Sequence, residues 1–259
     1  MFNLDEYDLV DLTHFLDEAV PCWEGGCGFS QAVTLDYSAG YRVHSLSMRA
    51  GIGTHMDAPR HFYSEGAGID QLKLETLIVP VCVIDVRKQA EADYLIHVGD
   101  IHAFEAVYGK INQGCFVIGL TGWGQYWHDP RQYRNEDEAA QLHFPGFSPE
   151  AAQLLLTRKI VGIGIDTLSP DGGNTAFPVH HLVLGAGCYI VENLAYCEQL
   201  PAMGAYISLL PLNVRDGTES PLRASPQSLR LRFSPRLLAL VISHINCLIL
   251  CLIDCFYVR

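Results

Sequence analysis

The sequence is short of positive charge and has no Cys-x-x-Cys pair. It carries 17 Lys and Arg against 29 Asp and Glu, for a formal charge of -12. Phosphate backbones bind to basic surfaces, and no basic patch with interleaved aromatics occurs here, so no nucleic-acid partner is expected. The cysteines number nine, an odd count, which does not fit a closed disulfide framework. Several of them, Cys82 and Cys115 included, sit in apolar runs and read as small core residues. Cysteine used in this way fits a reducing, cytoplasmic compartment. The first six residues are acidic and lack the basic start and apolar run of a secretory leader.

What is present is ample apolar material and two unusual clusters. The chain has 259 residues, 49% of them hydrophobic, enough for a substantial core. The first cluster spans residues 51–62, Gly-Ile-Gly-Thr-His-Met-Asp-Ala-Pro-Arg-His-Phe. His55 and Asp57 are two apart, so on an extended backbone both point to one face. A neutral imidazole and a carboxylate are good ligands for zinc or manganese. His61 is near enough to reach the same cavity without being a ligand. The second cluster spans residues 177–194, where His180 and Glu192 flank an apolar segment. A carboxylate at the end of a buried segment is costly unless it is paired, protonated or metal-bound. A cation held by His55 and Asp57 would satisfy Glu192. The two clusters must then meet in space, which argues for one domain.

Together these stretches resemble a cyclase family that includes bacterial kynurenine formamidase and isatin hydrolase. The family pattern is His-x-Gly-Thr-His-x-Asp-x-Pro-x-His, and later a His followed twelve residues on by Glu in a Glu-Asn-Leu run. Gly53, Thr54, His55, Asp57, Pro59 and His61 match, as do His180, Glu192, Asn193 and Leu194. Further agreement lies in Asp11 to His14, residues 144–148, Gly164 to Thr167, Gly217-Thr218 and Ser220-Pro221. The resemblance implies a swivelling β/β/α domain over residues 1–224, within the α/β class that alternating strands and helices indicate. It also implies a homo-oligomer, and a divalent metal, zinc or manganese, that hydrolyses an amide C–N bond. The implied substrate is an aryl formamide or a small cyclic amide, with His55, Asp57, His180 and Glu192 as metal ligands and His61 as general acid–base.

One departure matters. The family's first metal histidine falls on Gly51, which offers no side-chain ligand. Losing a ligand lowers metal affinity, so one ion per chain is expected rather than two. The alternative is a catalytically impaired family member acting as a binding or structural protein.

Read in order, residues 9–13 form a first strand, and a Gly-rich loop carrying Trp23 follows. Residues 41–48 alternate as a half-buried strand, with His44, Leu46 and Met48 on one face. Residues 77–86, 116–120 and 160–165 are continuous apolar runs of buried strands. Asp100 caps a helix whose inward stripe is Ile101, Phe104 and Val107, and His97 and His102 are surface residues. Trp123, just past a strand end, joins Trp23 as a candidate wall for an aromatic substrate. Residues 129–141 are polar and read as solvated. Ser148 caps a helix with Pro149 at its first position.

The tail, residues 225–259, is atypical. Residues 237–253 form a mostly apolar run broken by Ser243, His244 and Asn246. Its length falls at the lower edge of what crosses a bilayer, about 17–25 residues. Three readings stand, a weak membrane anchor, a segment docked on an oligomer interface, and an unselected extension read from sequence that normally is not translated; the excess of Cys, Leu and Ile and the lack of pattern favour the last.

Overall fold

The computed structural model describes residues 7–26 and 28–229. The tail and its apolar run therefore lie outside the described residues. The strands are β1 (Tyr7–Leu9), β2 (Phe29–Leu35), β3 (Val43–Met48), β4 (His55–Asp57), β5 (Ile78–Asp85), β6 (Leu95–Ile96), β7 (Phe116–Leu120), β8 (Gly146–Phe147), β9 (Gly162–Ile165), β10 (Tyr189–Glu192), β11 (Ala205–Pro211) and β12 (Glu219–Leu229). The helices are α1 (Leu74–Leu77), α2 (Val98–Tyr108), α3 (Pro130–Arg134), α4 (Pro149–Thr157) and α5 (Pro178–Gly185).

One sheet organises the chain, in the order β1-β12-β11-β5-β7-β9-β10-β4. Strand β12 also pairs with β4, which closes the sheet into a barrel-like ring. Strands β5, β7, β9 and β10 run parallel, as α-helical crossovers demand. The apolar runs read from sequence are these strands, and the period of two explains why they are continuous. Val81 and Val83 face one core with Phe116, Ile118, Val191 and Ile207. The intervening Cys82 and Ile84 face the helices, where Ile101 and Phe104 of α2, Leu155 of α4 and Val183 of α5 cover them. With both faces covered, the interior positions of these strands are apolar, and the carboxylates Asp85 and Glu192 stand at the ends of β5 and β10. Within Asp8–Ser228, Cys82 and Cys115 are buried thiols, as their apolar neighbours implied, and Cys197 is buried too.

Several local expectations need correction. Strand β3 forms, but all six of its residues are exposed. Among the described residues it pairs only with β2, in a two-stranded ribbon of which Phe29 alone is buried. Alternation thus marked a strand without marking burial. Asp100 is not the N-cap of α2. His97 holds that position, and Asp100, three residues on, reaches back to the His97 N–H at 2.9 Å. Val107 is 72% exposed, so the inward stripe of α2 ends at Phe104. The polar stretch 129–141 is not wholly solvated, because α3 buries Tyr133 and Arg134. Ser148 does cap α4, accepting from the Ala151 N–H at 3.1 Å. Strand β12 runs past residue 224 to Leu229, with Ser228 opposite Ala205.

Among the described residues no helix is long and apolar enough to cross a membrane.

Candidate metal centre

Three adjacent strands build the centre by register alone. In β4, His55 and Asp57 share a face, while Met56 turns into the core with no exposed surface. Residues directly opposite in paired strands point the same way. Glu192 of β10 is opposite His55, and Glu219 of β12 is opposite Asp57. Two imidazole- and carboxylate-bearing positions thereby become four on one face. His180 arrives separately, in the first turn of α5.

The donor atoms converge. His55 Nε2 lies 3.4 Å from Asp57 Oδ1 and 3.4 Å from Glu192 Oε2. His180 Nε2 lies 3.4 Å from Asp57 Oδ2 and 3.3 Å from Glu192 Oε1. Each carboxylate thus presents one oxygen to each imidazole. Neighbouring donors around a cation with bonds of about 2.0–2.2 Å stand about 3.3–3.6 Å apart, and each of the four imidazole–carboxylate pairs has that spacing; one donor atom from each of His55, Asp57 and Glu192 lies within 4.8 Å of the others. All four residues are buried, between 1% and 6% exposed.

Both rings are fixed from behind. His55 Nδ1 meets the Gly53 carbonyl at 2.8 Å. Gly53 has a φ of 61°, which places that carbonyl at low cost only for glycine. His180 Nδ1 meets Asp171 Oδ2 at 2.5 Å. Asp171 also accepts from the N–H groups of Val179 and His180 at 2.6 and 3.1 Å, closing the start of α5. Nδ1 partners of this kind leave Nε2 as the metal-facing nitrogen. Asn193 completes the frame: its Nδ2 donates to the Gly53 carbonyl at 2.9 Å, and its Oδ1 accepts from the Tyr133 hydroxyl at 2.9 Å.

The electrostatics ask for positive charge. Burial resists protonation of His55, yet Asp57 and Glu192 carry its pKa up to about 10. Burial likewise resists it in His180, and Asp171, Asp57 and Glu192 raise its pKa well above the usual value. Burial pushes Glu192 upward, with Asp57 adding to it. Burial also opposes charge on Asp57, but the two imidazoles hold its carboxyl below the usual range. Asp57 Oδ1, fully buried, accepts no hydrogen bond. Two buried carboxylates, one with an orphaned oxygen, and two oriented imidazoles fit a divalent cation by donor type and by charge.

These residues floor a cavity of ≈ 330 Å³. Trp23 and Phe177 line it, with ring centroids 5.5 Å apart. Phe62 stacks on His180 at 5.0 Å. Phe177 adopts a left-handed φ of 50°, a strained conformation for a bulky residue, immediately before α5. His61, on the turn Pro59–His61, reaches the same cavity with a side chain 31% exposed. Trp123 does not: it is buried, donates to the Tyr133 carbonyl at 2.8 Å, and borders a different cavity of ≈ 850 Å³. That larger cavity holds His14 and Asp166 but no donor cage. Asp166 is already satisfied by Thr121 and Gly122. Size therefore does not mark the reactive site here; donor convergence does.

Sequence reasoning missed Asp171 and Glu219 as members of the site. Glu219 lies between Gly217-Thr218 and Ser220-Pro221, already singled out, and Asp171 just before the second cluster, but their roles depend on a helix start and a strand pairing that leave no local signal.

Comparisons with known proteins place the chain in a family. The family model described as Putative cyclase matches residues 10–172. Isatin hydrolase of Roseibium aggregatum is 39% identical over 184 residues, covering 66% of this chain and 69% of that protein. Kynurenine formamidase of Bacillus cereus is 27% identical over 226 residues, covering 83% and 95%. Isatin hydrolase A from Labrenzia aggregata, solved with benzyl benzoate, superposes with a TM-score of 0.81 at 32% identity, over 87% of this chain and 95% of that one. The α/β fold with its barrel-like sheet is that of the solved family structures, as the expected swivelling β/β/α domain required. A converging donor cage, a matching family model and relatives that are hydrolases lead to one conclusion: this chain belongs to the Putative cyclase family.

Proposed function

We propose that this protein is a metal-dependent hydrolase that cleaves the C–N bond of an aryl formamide or a small cyclic amide. The observation that carries the reading is the donor cage of His55, Asp57, His180 and Glu192 on the floor of a cavity walled by aromatics. A zinc or manganese ion held there would lower the pKa of water and polarise a carbonyl. Trp23 and Phe177 bind the flat face of an aryl substrate and exclude water beside it. His61 takes the proton from the attacking water and returns it to the leaving nitrogen. General acid–base help of this kind contributes about 10²–10⁴-fold. Asp171 and Gly53 hold the two ligand imidazoles in the required orientation.

The family resemblance implied a homo-oligomer, and the exposed ribbon supports that reading. Val33 and Leu35 of β2 and Leu46 and Met48 of β3 stand in solvent, and a lone two-stranded ribbon is marginal in water. A second copy of the chain would cover it.

The test is a substrate panel of N-formylkynurenine, isatin and simple lactams with zinc- or manganese-loaded protein. Turnover of an aryl amide, lowered about 10²–10⁴-fold by His61→Ala with metal content kept, supports the reading. A metal-loaded protein that turns over none of them overturns it and leaves a binding role.

A further inference from the structure

A second group of possible ligands adjoins the cage. Glu219 opens β12 directly opposite Asp57 and turns its carboxylate into the cavity. Its Oε2 lies 3.4 Å from His61 Nδ1. One donor atom from each of Asp57, His61 and Glu219 falls within 4.8 Å of the others. The set holds two carboxylates and an imidazole, a combination suited to a divalent cation such as manganese. Asp57 belongs to both groups, and its buried Oδ1 lacks a hydrogen bond.

Gly51 explains how Glu219 comes to be there. A Cβ at position 51 would overlap Glu219 Oε1 and lie 3.3 Å from His55 Nε2. The space beside Gly51 is thus filled by a carboxylate from a strand nearly 170 residues later. The glycine does more than remove a ligand: it makes room for another.

The geometry points to a second, weaker divalent-cation site formed by Asp57, His61 and Glu219, whose occupation withdraws His61 from proton transfer. This rests on the functional reading above. The site is weaker for three reasons. It has three protein donors where the cage has four. Its His61 and Glu219 side chains are 31% and 22% exposed, against 2–8% in the cage. Two dications sharing one carboxylate also repel each other. A lone pair on His61 Nδ1 given to a cation is no longer free to accept a proton. Excess divalent metal therefore inhibits this protein after first activating it. The single tight ion expected from the loss at position 51 is joined by a loose one.

The experiment is a calorimetric titration of the metal-stripped full chain with manganese(II), with electron paramagnetic resonance at each step. Wild type should bind twice, the second time at least about tenfold more weakly, and the second ion should broaden the signal of the first. Glu219→Gln keeps the side-chain volume and should lose the second event alone. Gly51→Ala leaves every donor in place but pushes Glu219 aside, and should weaken the same event. Thermal melts of both variants establish that they are folded. A single event in wild type, or a second event that survives either substitution at wild-type strength, overturns the site. No manganese binding at all overturns the functional reading as well, so the two failures are distinct.

Discussion

Asp171 touches no substrate, yet it should control metal affinity. Its carboxylate holds His180 Nδ1 at 2.5 Å and accepts two N–H groups at the start of α5. Asp171→Asn keeps an oxygen for the helix start, where Asn serves as well as Asp, but removes the charge behind His180. Asp171→Ala removes both. Loss of such an outer partner lowers metal affinity about 10–100-fold, or about 1.4–2.8 kcal/mol. Asp171→Asn is expected near the lower figure with little change in melting temperature. Asp171→Ala is expected near the upper figure, with an additional stability loss of about 1–2 kcal/mol from the unsatisfied N–H groups. Competition against a chelator of known affinity measures the first quantity, and urea unfolding of metal-free protein measures the second. An Asp171→Asn variant that binds metal as tightly as wild type would refute the argument that orientation of His180 matters.

Other perturbations separate the parts of the account. Trp23→Ala should raise KM for an aryl substrate about 10–100-fold, the loss of about 1.5–3 kcal/mol of apolar contact, while chelator competition finds metal affinity unchanged. Gly164→Ala should cost about 1–3 kcal/mol in urea unfolding, because its Cβ would lie 2.7 Å from Leu194 Cδ1 and 2.8 Å from Phe116 Cζ in the packed core. The homo-oligomer proposed through the exposed ribbon predicts a wild-type mass above that of the monomer in light scattering and a monomer mass for Leu46→Asp; a monomeric wild type, or a mass unchanged by the substitution, would remove that interface. Arg158 holds the Glu105 carboxyl below its usual pKa through bonds of 2.8 and 2.9 Å. A lowered folded pKa means that the pair stabilises fully above the unfolded value and that this contribution is lost as pH falls through the folded one. Glu105→Gln should therefore cost about 0.5–1 kcal/mol at neutral pH and nothing in strong acid, as urea midpoints across pH would show.

The parts of the site legible in the sequence were those encoded locally. His55 and Asp57 share a face because strand geometry has a period of two, Glu192 declared itself by the cost of burying a carboxylate, and His180 by the twelve-residue spacing to Glu192 in the family pattern. The parallel strands were legible because burial on both faces leaves only apolar residues. What escaped depended on pairing across the chain. Glu219 meets Asp57 through a β12–β4 register that no local pattern encodes. Trp123 sat near a strand end like a pocket wall, but the chain turns its ring toward Tyr133. Strand β3 alternates as a half-buried strand would, yet all six of its residues are exposed. Asp100 reads as a helix cap by residue type, but its hydrogen bond from the His97 N–H makes it the third residue of the helix.

The central claim is that one tightly held divalent cation joins two distant parts of the chain. An anomalous-scattering map from crystals of manganese-loaded protein tests it most directly. The strongest peak should stand about 2.0–2.2 Å from His55 Nε2, His180 Nε2 and oxygens of Asp57 and Glu192. A strongest peak away from these four residues, or no peak at all, would contradict the account.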